Sequence, residues 1–325
     1  MSTSNQRLIT VFGATGSQGG SLIKALLEDG TFSVRGVTRN ADGDAALKLK
    51  KMGVEILYAD YDDPLTLDRV IAGSYGVYVV TGAYIEKFYE DKELARGLRL
   101  VEAAIRAGVE HFVYSGLPSC MEVTGQRCPE FEGKSKVEEF IFASGLPSTS
   151  LRQPVSMENI LIDFIPLLQE DGTFVWNIPM EGRPLPMLNP ADDGRAILKV
   201  FKDPKKYIGR RIGLAGDFKT IEEYAAIASR HVSPYVIKAT KMTANEFKKL
   251  ASPRADDLGT MFEFLQMDAS AYSLTDTQKL DPDIMDFDSF MRLNASELKE
   301  KLKYQYDAKI IQKDHLSCIG FQSAN

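Results

Sequence analysis

The fold of this chain is decided by the stretch Leu8-Ile9-Thr10-Val11-Phe12-Gly13-Ala14-Thr15-Gly16-Ser17-Gln18-Gly19-Gly20. It joins an apolar run to a Gly-x-x-Gly-x-x-Gly turn and then to a helix-like segment over residues 21–28. In such a turn the first glycine lets the chain leave the strand, the second leaves room for a pyrophosphate, and the third lets helix and strand pack closely. Free amide groups at the helix N-terminus suit phosphate. The stretch is therefore typical of a dinucleotide-binding βα unit.

The end of the second predicted strand, Ser33–Thr38, indicates which dinucleotide is bound. NAD-specific folds place a carboxylate there to accept a hydrogen bond from the ribose 2′-hydroxyl, whereas this chain has Thr38-Arg39-Asn40. A guanidinium can bind a 2′-phosphate bidentately and offers no acceptor to a 2′-hydroxyl. The sequence therefore favours NADP(H), with Arg39 on the 2′-phosphate and Arg35 as a competing candidate. The alternative is that Arg39 is only a solvated charge at the end of the strand.

Length and composition describe an ordinary α/β protein. The 325 residues are 44% hydrophobic and 26% charged, enough for one large domain and a smaller unit. A net charge of −6 provides no general basic surface, so we expect no direct binding of nucleic acid. The first seven residues lack the apolar core of a signal peptide, and no apolar run reaches the length of a membrane span. We expect no membrane association and a cytoplasmic location, with the nucleus as a further candidate.

The cysteines and histidines predict no metal site. Cys120, Cys128 and Cys318 are an odd number without Cys-x-x-Cys spacing, which favours reduced structural thiols over a disulfide framework or a zinc site. The three histidines are scattered and form no His-x-x-x-His pair. His111 begins an apolar strand and is predicted to be structural.

Apolar strands and amphipathic helices alternate through the first half of the chain. The predicted strands cover residues 8–12, 33–38, 54–59, 76–80, 111–115 and 149–152, with helices at 45–52, 64–71, 86–107 and 134–143. This alternation is typical of a doubly wound, parallel Rossmann-type sheet. After Arg152 prolines are frequent and strands short, so we predict a Rossmann-type domain over residues 1–153 and a smaller α+β lobe over 154–325, some of which returns to the Rossmann core. The capping box Thr220-Ile221-Glu222-Glu223 predicts a helix through residue 229.

The chemistry of a conventional short-chain dehydrogenase is missing. That chemistry needs a tyrosine that passes a proton to a carbonyl oxygen and a lysine four residues later. No tyrosine in this sequence is followed by lysine at the fourth position. Glu130 stands four residues before Lys134, and a carboxylate that is ionised at neutral pH replaces a phenol poorly. Ser115 ends its strand near the usual position of the catalytic serine. Lys134 is a candidate for binding the nicotinamide ribose or for acid catalysis, the alternative being a solvated lysine beside Lys136.

These motifs resemble the NmrA-like family of atypical short-chain dehydrogenases, and within it the proteins that act as NADPH sensors. The similarity is carried by the glycine stretch, by Leu26-Leu27-Glu28-Asp29-Gly30-Thr31-Phe32 and by Val37-Thr38-Arg39-Asn40. Further matches are Val113-Tyr114-Ser115-Gly116-Leu117, Phe131-Glu132-Gly133-Lys134 and Glu158-Asn159-Ile160. The resemblance extends from the first strand to about residue 290.

The resemblance implies NADP(H) as the cofactor and a site that runs along it from the pyrophosphate to the nicotinamide. The residues implied on the pyrophosphate are Gly13, Ala14, Thr15, Gly16, Ser17 and Gln18. Arg39 is implied on the 2′-phosphate, and Asp60 and Tyr61 around the adenine. The remaining positions are Thr81 and Gly82 after the fourth strand, and Lys134, Ser156, Met157, Glu158 and Asn159 toward the nicotinamide.

The resemblance also implies a regulatory role. Such a protein binds NADP(H), responds to its redox state or level, and acts through regulatory protein partners, with transcriptional regulation as an outcome and a homodimer as a candidate assembly. The absent Tyr-x-x-x-Lys pair independently favours this interpretation. The alternative is an NADPH-dependent reductase of a carbonyl, quinone or enone substrate that uses Lys134, because the related phenylcoumaran- and isoflavone-type reductases also lack the tyrosine.

Overall fold

The computed structural model describes residues 6–82, 89–252 and 254–320, with side chains through residue 309. The strands are β1 Leu8–Phe12, β2 Ser33–Thr38, β3 Glu55–Tyr58, β4 Gly76–Val79, β5 His111–Gly116, β6 Ser148–Arg152, β7 Val155–Ser156, β8 Leu167–Leu168, β9 Phe174–Trp176, β10 Leu185–Leu188, β11 Arg210–Gly213, β12 Asp217–Lys219 and β13 Ile237–Ala239. The helices are α1 Ser17–Asp29, α2 Asp44–Lys51, α3 Pro64–Ile71, α4 Tyr89–Arg106, α5 Cys120–Thr124, α6 Pro129–Ala143, α7 Gly194–Lys202, α8 Pro204–Tyr207, α9 Ile221–His231, α10 Ala244–Phe247, α11 Ala255–Met267, α12 Leu274–Leu280 and α13 Phe287–Gly320. A 3₁₀ helix spans Met157–Leu161.

Seven strands form one parallel sheet in the order β11-β6-β5-β4-β1-β2-β3. The chain builds outward from β1 to β3 and then crosses to the other side of β1, so a crevice opens between the carboxyl ends of β1 and β4. The predicted Rossmann-type fold is confirmed. The sheet has one strand more than the six predicted, because β11 returns from the C-terminal half and pairs with β6.

Helices cover both faces of this sheet. Side chains alternate along β1, so that Ile9 and Val11 pack with α1 and α7 on one face while Phe12 packs with α3 and α4 on the other. All three side chains are fully buried. The alternation explains why the first strand reads as a continuous apolar run: both faces of a parallel sheet are covered.

The later part of the chain forms a smaller α+β lobe, as predicted. It contains the three-stranded sheets β12-β10-β7 and β13-β9-β8. Its core includes Trp176, Tyr224 and Phe287, with ring centroids 4.7 Å apart for Tyr224 and Phe287. The predicted capping box is present: the Glu223 amide donates to Thr220 Oγ1 at 3.3 Å, and the Thr220 amide donates to Glu223 Oε2 at 2.8 Å. Helix α9, which it opens, runs to His231, two residues beyond the predicted end.

Segments from beyond residue 153 complete the sheet layer. Helix α7 packs so closely on α1 that a Cβ on Gly194 would overlap the backbone of Ser21. The ends of the two helices are joined by the Lys202–Asp29 ion pair at 2.5 Å. The boundary at residue 153 stays a prediction, since β11 and α7 belong to the Rossmann core in space.

Two helices begin four or five residues earlier than the sequence predicted. Helix α1 starts at Ser17 instead of residue 21, because Gly16 at its N-cap adopts an extended conformation and the turn passes directly into the helix. Helix α6 starts at Pro129, where proline suits the first turn because its missing amide hydrogen is not needed. Lys134 therefore lies in the second turn of α6. The predicted helix start at residue 86 lies outside the described residues.

No helix in the described parts of the chain is long and apolar enough to cross a membrane.

Candidate functional site

The glycine turn lies at the carboxyl end of β1. Gly13 has a φ of +69°, in the left-handed region that a side chain would strain. A Cβ on Gly19 would overlap the carbonyl of Gly13, so glycine is required for helix and strand to approach this closely. Gly16 carries no side chain at the start of α1, where the first amide groups of a helix have no intrahelical partner. The turn thus has the shape and the free donors that an anion needs.

A cleft of about 690 Å³ opens above this turn. It lies at the carboxyl ends of β1, β2 and β4, where the strand order reverses. Its lining includes most of the residues implied for the cofactor, namely Gly13, Thr15, Gly16, Ser17, Gln18, Arg39, Asp60, Tyr61, Thr81, Gly82, Ser156, Glu158 and Asn159. Positions that are far apart in sequence are therefore brought together around one space.

Two implied residues lie beneath the cleft instead of on its surface. Ala14 is fully buried, and its amide donates to the carbonyl of Val37 at 3.2 Å. Met157 is also fully buried and packs in the core of the C-terminal lobe. Both positions therefore support neighbouring lining residues through packing, because neither side chain reaches the cleft.

Arg35, in β2, and Arg39, directly after that strand, have different surroundings. Arg35 does not line the cleft: its Nε pairs with Glu55 at 2.8 Å, and its Nη1 donates to the Val70 carbonyl at 2.8 Å. Arg39 lines the cleft, is exposed, and forms no ion pair with any residue that the structure describes. Burial raises the pKa of the nearby Tyr61 hydroxyl, and the positive charge of Arg39 opposes that rise. Of the two candidates, only Arg39 has a guanidinium available to a bound ligand.

A carboxylate lies at the N-terminus of α1. Ser17 Oγ donates to Glu158, at 3.0 Å from Oε2 and 3.1 Å from Oε1. Glu158 is held in the 3₁₀ helix, whose N-cap Ser156 accepts a hydrogen bond from the Glu158 amide at 3.1 Å. The C-terminal lobe thus contributes a negative charge beside the glycine turn.

Lys134 lies in a buried polar network. Its Nζ donates to the Thr81 carbonyl at 2.5 Å and forms an ion pair with Glu93 at 3.1 Å. Only 9% of the Lys134 side chain and 1% of the Glu93 side chain are exposed. Thr81 Oγ1 also donates to Glu93 and lies 3.1 Å from the Tyr114 hydroxyl. The ammonium group is therefore fully engaged by the protein itself.

The sequence did not predict Glu93, because it lies on α4, 41 positions before Lys134, and no spacing rule links the two. The sequence instead drew attention to Glu130, which stands four residues before Lys134, at the position of the missing tyrosine. The structure shows Glu130 paired with Arg254 of the C-terminal lobe at 2.5 Å. In the sequence, Glu93 is one of several acidic residues on an amphipathic helix, and such residues usually lie on the solvated face. Its burial is therefore not indicated by the sequence.

Two glutamines lie where the cleft meets a second, smaller pocket. Tyr78 donates to Gln18 Oε1 at 2.7 Å, and Gln153 Nε2 donates to Asp193 at 3.1 Å. Both glutamines line both spaces. Burial raises the pKa of the Asp193 carboxyl well above its ordinary value. The sequence did not single out Gln153, since an isolated glutamine after a strand carries no motif.

The smaller space, which we term the inner pocket, has a volume of about 210 Å³. Its apolar lining includes Leu117, Phe131, Phe164, Leu258, Met261 and Leu265. Its polar and charged lining includes Ser115, Glu130, Lys134, Asn159, Asp163 and Arg254. The pocket adjoins the end of the cleft that contains Thr81 and Asn159, so a molecule in it would lie next to a ligand in the cleft.

The predicted structural residues are buried. His111 is fully buried, with its Nε2 2.9 Å from Thr149 Oγ1. Cys120 and Cys128 are free, buried thiols. Across residues 6–82, 89–252 and 254–309, no group of three or more His, Cys, Asp or Glu side chains is arranged to hold a metal ion.

A parallel sheet with a glycine turn at its switch point and a cleft above that turn defines a Rossmann-type protein. The chain belongs to the NmrA-like family, whose family model matches residues 5–306. It is 28% identical over 292 residues to the NmrA-like family domain-containing oxidoreductase lnaB of Aspergillus flavus, a match that covers 82% of this chain and 86% of that protein.

Solved structures share the fold. The structure of NmrA, a negative transcriptional regulator, in complex with NADP is similar with a TM-score of 0.74 and 22% identity, covering 91% of this chain and 97% of NmrA. The triphenylmethane reductase of Citrobacter sp. complexed with NADP(H) is similar with a TM-score of 0.70 and 21% identity, covering 88% of this chain and 99% of the reductase. One neighbour is a regulator and the other an enzyme, so the shared fold is compatible with both activities.

Proposed function

We propose that this protein is an NADP(H)-binding redox sensor that regulates partner proteins and lacks dehydrogenase chemistry. The observation that carries the proposal is the state of Lys134, the only candidate acid that the sequence offered. Its ammonium group is buried against Glu93 and donates to the Thr81 carbonyl. The cleft therefore has the features of a dinucleotide site, and the lysine beside it is engaged in hydrogen bonds and an ion pair within the protein.

The cleft supports NADP(H) as the ligand. The glycine turn and the start of α1 suit a pyrophosphate, and Arg39 suits a 2′-phosphate because its guanidinium is exposed and not paired within the described residues. In this arrangement Asp60 and Tyr61 would border the adenine, and Thr81, Asn159 and the inner pocket would border the nicotinamide. NmrA is described in complexes with NADP and with NAD, and the triphenylmethane reductase in a complex with NADP(H), which supports a nicotinamide dinucleotide as the ligand.

Regulation through other proteins completes the proposal. NmrA, which shares the fold, is described as a negative transcriptional regulator. We extend that role to this chain, together with a location in the cytoplasm and nucleus, regulatory protein partners and a homodimer as a candidate assembly. A sensor must bind the oxidised and reduced cofactors, or its two conformations, with different affinity, since equal affinity shifts no equilibrium.

The test begins with calorimetric titration of the full chain with NADPH, NADP⁺, NADH and NAD⁺. An absorbance assay at the NADPH band then uses a panel of aldehydes, quinones and enones. We expect tight NADP(H) binding and no substrate-dependent consumption of NADPH. Steady consumption that disappears when Lys134 is replaced would overturn the sensor proposal.

A reductase is the second candidate function, and the inner pocket is the observation that favours it. A space of about 210 Å³ beside the nicotinamide end is where a substrate would lie, and curated relatives are described as oxidoreductases. Lys134 would be the acid. Because Lys134→Met alone leaves Glu93 buried without its partner, the double variant Lys134→Met/Glu93→Gln separates loss of chemistry from loss of folding. A reductase predicts that the double variant binds NADPH but does not oxidise it.

A further inference from the structure

A polar space of about 510 Å³, which we term the outer pocket, is lined by α5, α6, β6, β11 and the end of α11. It shares no lining residue with the cleft or with the inner pocket. We infer that the outer pocket binds a free basic amino acid, a molecule with one carboxylate and two ammonium or similar cationic groups. The inference goes beyond the proposed function and does not depend on it, because this ligand lies apart from the cofactor.

Two arginines of the outer pocket share the buried carboxylate of Glu138. Arg152 donates to it through Nε at 3.1 Å and through Nη2 at 2.6 Å, and Arg211 donates through Nε at 2.9 Å. Only 2% of the Glu138 side chain is exposed. Two positive charges thus surround one negative charge, so this part of the lining attracts an anionic group.

The guanidinium of Arg211 keeps donors for a ligand. Neither of its Nη atoms has a hydrogen-bond partner among the residues that the structure describes, and 41% of its side chain is exposed. Its Cζ atom lies 4.0 Å from the centroid of the Phe142 ring, and this contact together with the ion pair to Glu138 fixes the plane of the guanidinium. A planar guanidinium with unused Nη groups can bind a carboxylate through two parallel hydrogen bonds.

Ser135 adds a buried hydroxyl to the same space. The residue is 6% exposed and lines the outer pocket, and its hydroxyl has no hydrogen-bond partner in the described parts of the chain. The Ser135 oxygen is not fully enclosed, in contrast to the unpartnered hydroxyl of Ser150. Ser135 and Glu138 stand three residues apart on α6 and therefore share a face of the helix. Because buried hydroxyls almost always have a partner, this one is left to donate to a ligand carboxylate.

Three further carboxylates of the outer pocket favour positive groups on the ligand. Glu122 on α5, Glu139 on α6 and Asp268 after α11 line the pocket, and none of them forms an ion pair with a described residue. These groups would repel a simple anion, while the two arginines would repel a simple cation. An amino acid with a cationic side chain suits both parts of the lining. Its carboxylate would bind Arg211 and Ser135, and its two positive groups would face the acidic residues.

The test uses three probes: lysine, norleucine, which lacks the side-chain ammonium group, and cadaverine, which lacks the carboxylate. Binding to the full chain is measured by ligand-observed NMR titration, with and without saturating NADPH. We expect saturable binding of lysine under both conditions. Norleucine and cadaverine should each bind about fivefold more weakly, since each loses a charge-assisted contact. The inference is wrong if lysine fails to bind, if cadaverine binds as well as lysine, or if NADPH displaces lysine, which would place lysine in the cleft.

Two adjacent arginines provide matched variants. Arg211→Gln removes the exposed guanidinium from the outer pocket and leaves Glu138 paired with Arg152, whereas Arg210→Gln removes an equal charge that does not line the pocket. We expect Arg211→Gln to weaken lysine binding about tenfold and Arg210→Gln to leave it unchanged. Equal lysine affinities of these two variants would overturn the inference.

A third variant tests the acidic part of the lining without touching the arginines. Glu139 is exposed on α6, so Glu139→Gln should fold as the wild type does and weaken lysine binding about threefold. Glu102→Gln is its control, because Glu102 is also exposed on a helix but lines none of the three spaces. Equal effects of the two glutamate variants would count against the inference. Thermal unfolding reports the folding of each variant, and NADPH titration of the same samples tests the proposed function separately.

Discussion

Arg39 and Arg35 stand four residues apart, yet only Arg39 lines the cleft while Arg35 is fixed by Glu55 and the Val70 carbonyl. We predict that Arg39→Ala weakens NADPH binding about tenfold to a hundredfold and changes NADH binding little. The reason is that a charge-assisted hydrogen bond contributes about 1.5–3 kcal/mol. NADH has no 2′-phosphate and therefore makes no such bond with Arg39 in the wild type. Calorimetry with both cofactors measures the difference, and Arg39→Lys, which keeps the charge without the planar fork, should fall between. Equal losses for the two cofactors would reject the assignment.

Glu158 places a negative charge at the N-terminus of α1, where a pyrophosphate would bind. We predict that Glu158→Gln raises the affinity for NADPH and NADP⁺ about two- to tenfold, since like charges repel while glutamine can still accept from Ser17. The gain should shrink at high ionic strength, because salt screens charges that are partly exposed. Titrations at low and high salt test this. A lower affinity of the variant would show that the carboxylate makes a favourable contact with the cofactor.

The sequence predicts well the parts of the site that are local in the chain. The β1–α1 turn, the position of Arg39 directly after β2 and the missing tyrosine can all be predicted from neighbouring residues. Glu93 and Gln153 could not be found in this way. Each gains its role from a contact across the fold: Glu93 with Lys134, and Gln153 with Asp193.

At the scale of elements, strand β5 contains a group that should make stability depend on pH. His111 is fully buried, and burial lowers the pKa of its imidazole to about 4, against 6.5 in an unfolded chain. The unfolded state therefore takes up the proton first, and stability falls as the pH drops from 6.5 toward 4. Between pH 7 and pH 5 this group should cost about 2 kcal/mol.

Urea unfolding of wild type and His111→Gln at the two pH values isolates this effect. Carboxylates titrate in both proteins and cancel in the comparison, so the wild type should lose about 2 kcal/mol more than the variant. Parallel pH dependence of the two proteins would mean that His111 takes up its proton while the chain is folded.

Helix and strand boundaries show what local patterns can determine. The predicted β1 and β2 match the structure residue for residue, since apolar runs and turn residues mark their ends. The starts of α1 and α6 were predicted too late. The first residues of these helices include glycines or a proline and do not yet show the apolar periodicity by which a helix is predicted. Strand β11 was not predicted at all: Arg210-Arg211-Ile212-Gly213 has a weak strand pattern, and only pairing with β6 fixes it.

At the scale of the whole molecule, the Rossmann sheet and the C-terminal half depend on each other. A fragment of residues 1–153 would lack β11 beside β6 and α7 against α1. We predict that this fragment does not fold, because it exposes the edge of β6 and the apolar surface of α1. Expression of the fragment beside the full chain, followed by circular dichroism and NMR, tests it. A soluble fragment with dispersed amide resonances would instead support an independent domain ending at residue 153.

The pairing of α1 with α7 has a consequence for synthesis on the ribosome. Asp29 and Lys202, which close that pair of helices, are separated by 173 positions. At about 5–20 residues per second, roughly 9 to 35 seconds pass after α1 emerges before the helix that covers it is made. During this interval Leu22, Ile23 and Leu26 have no α7 to pack against. We therefore expect the nascent chain to bind a chaperone that covers exposed apolar helices until translation reaches residue 202.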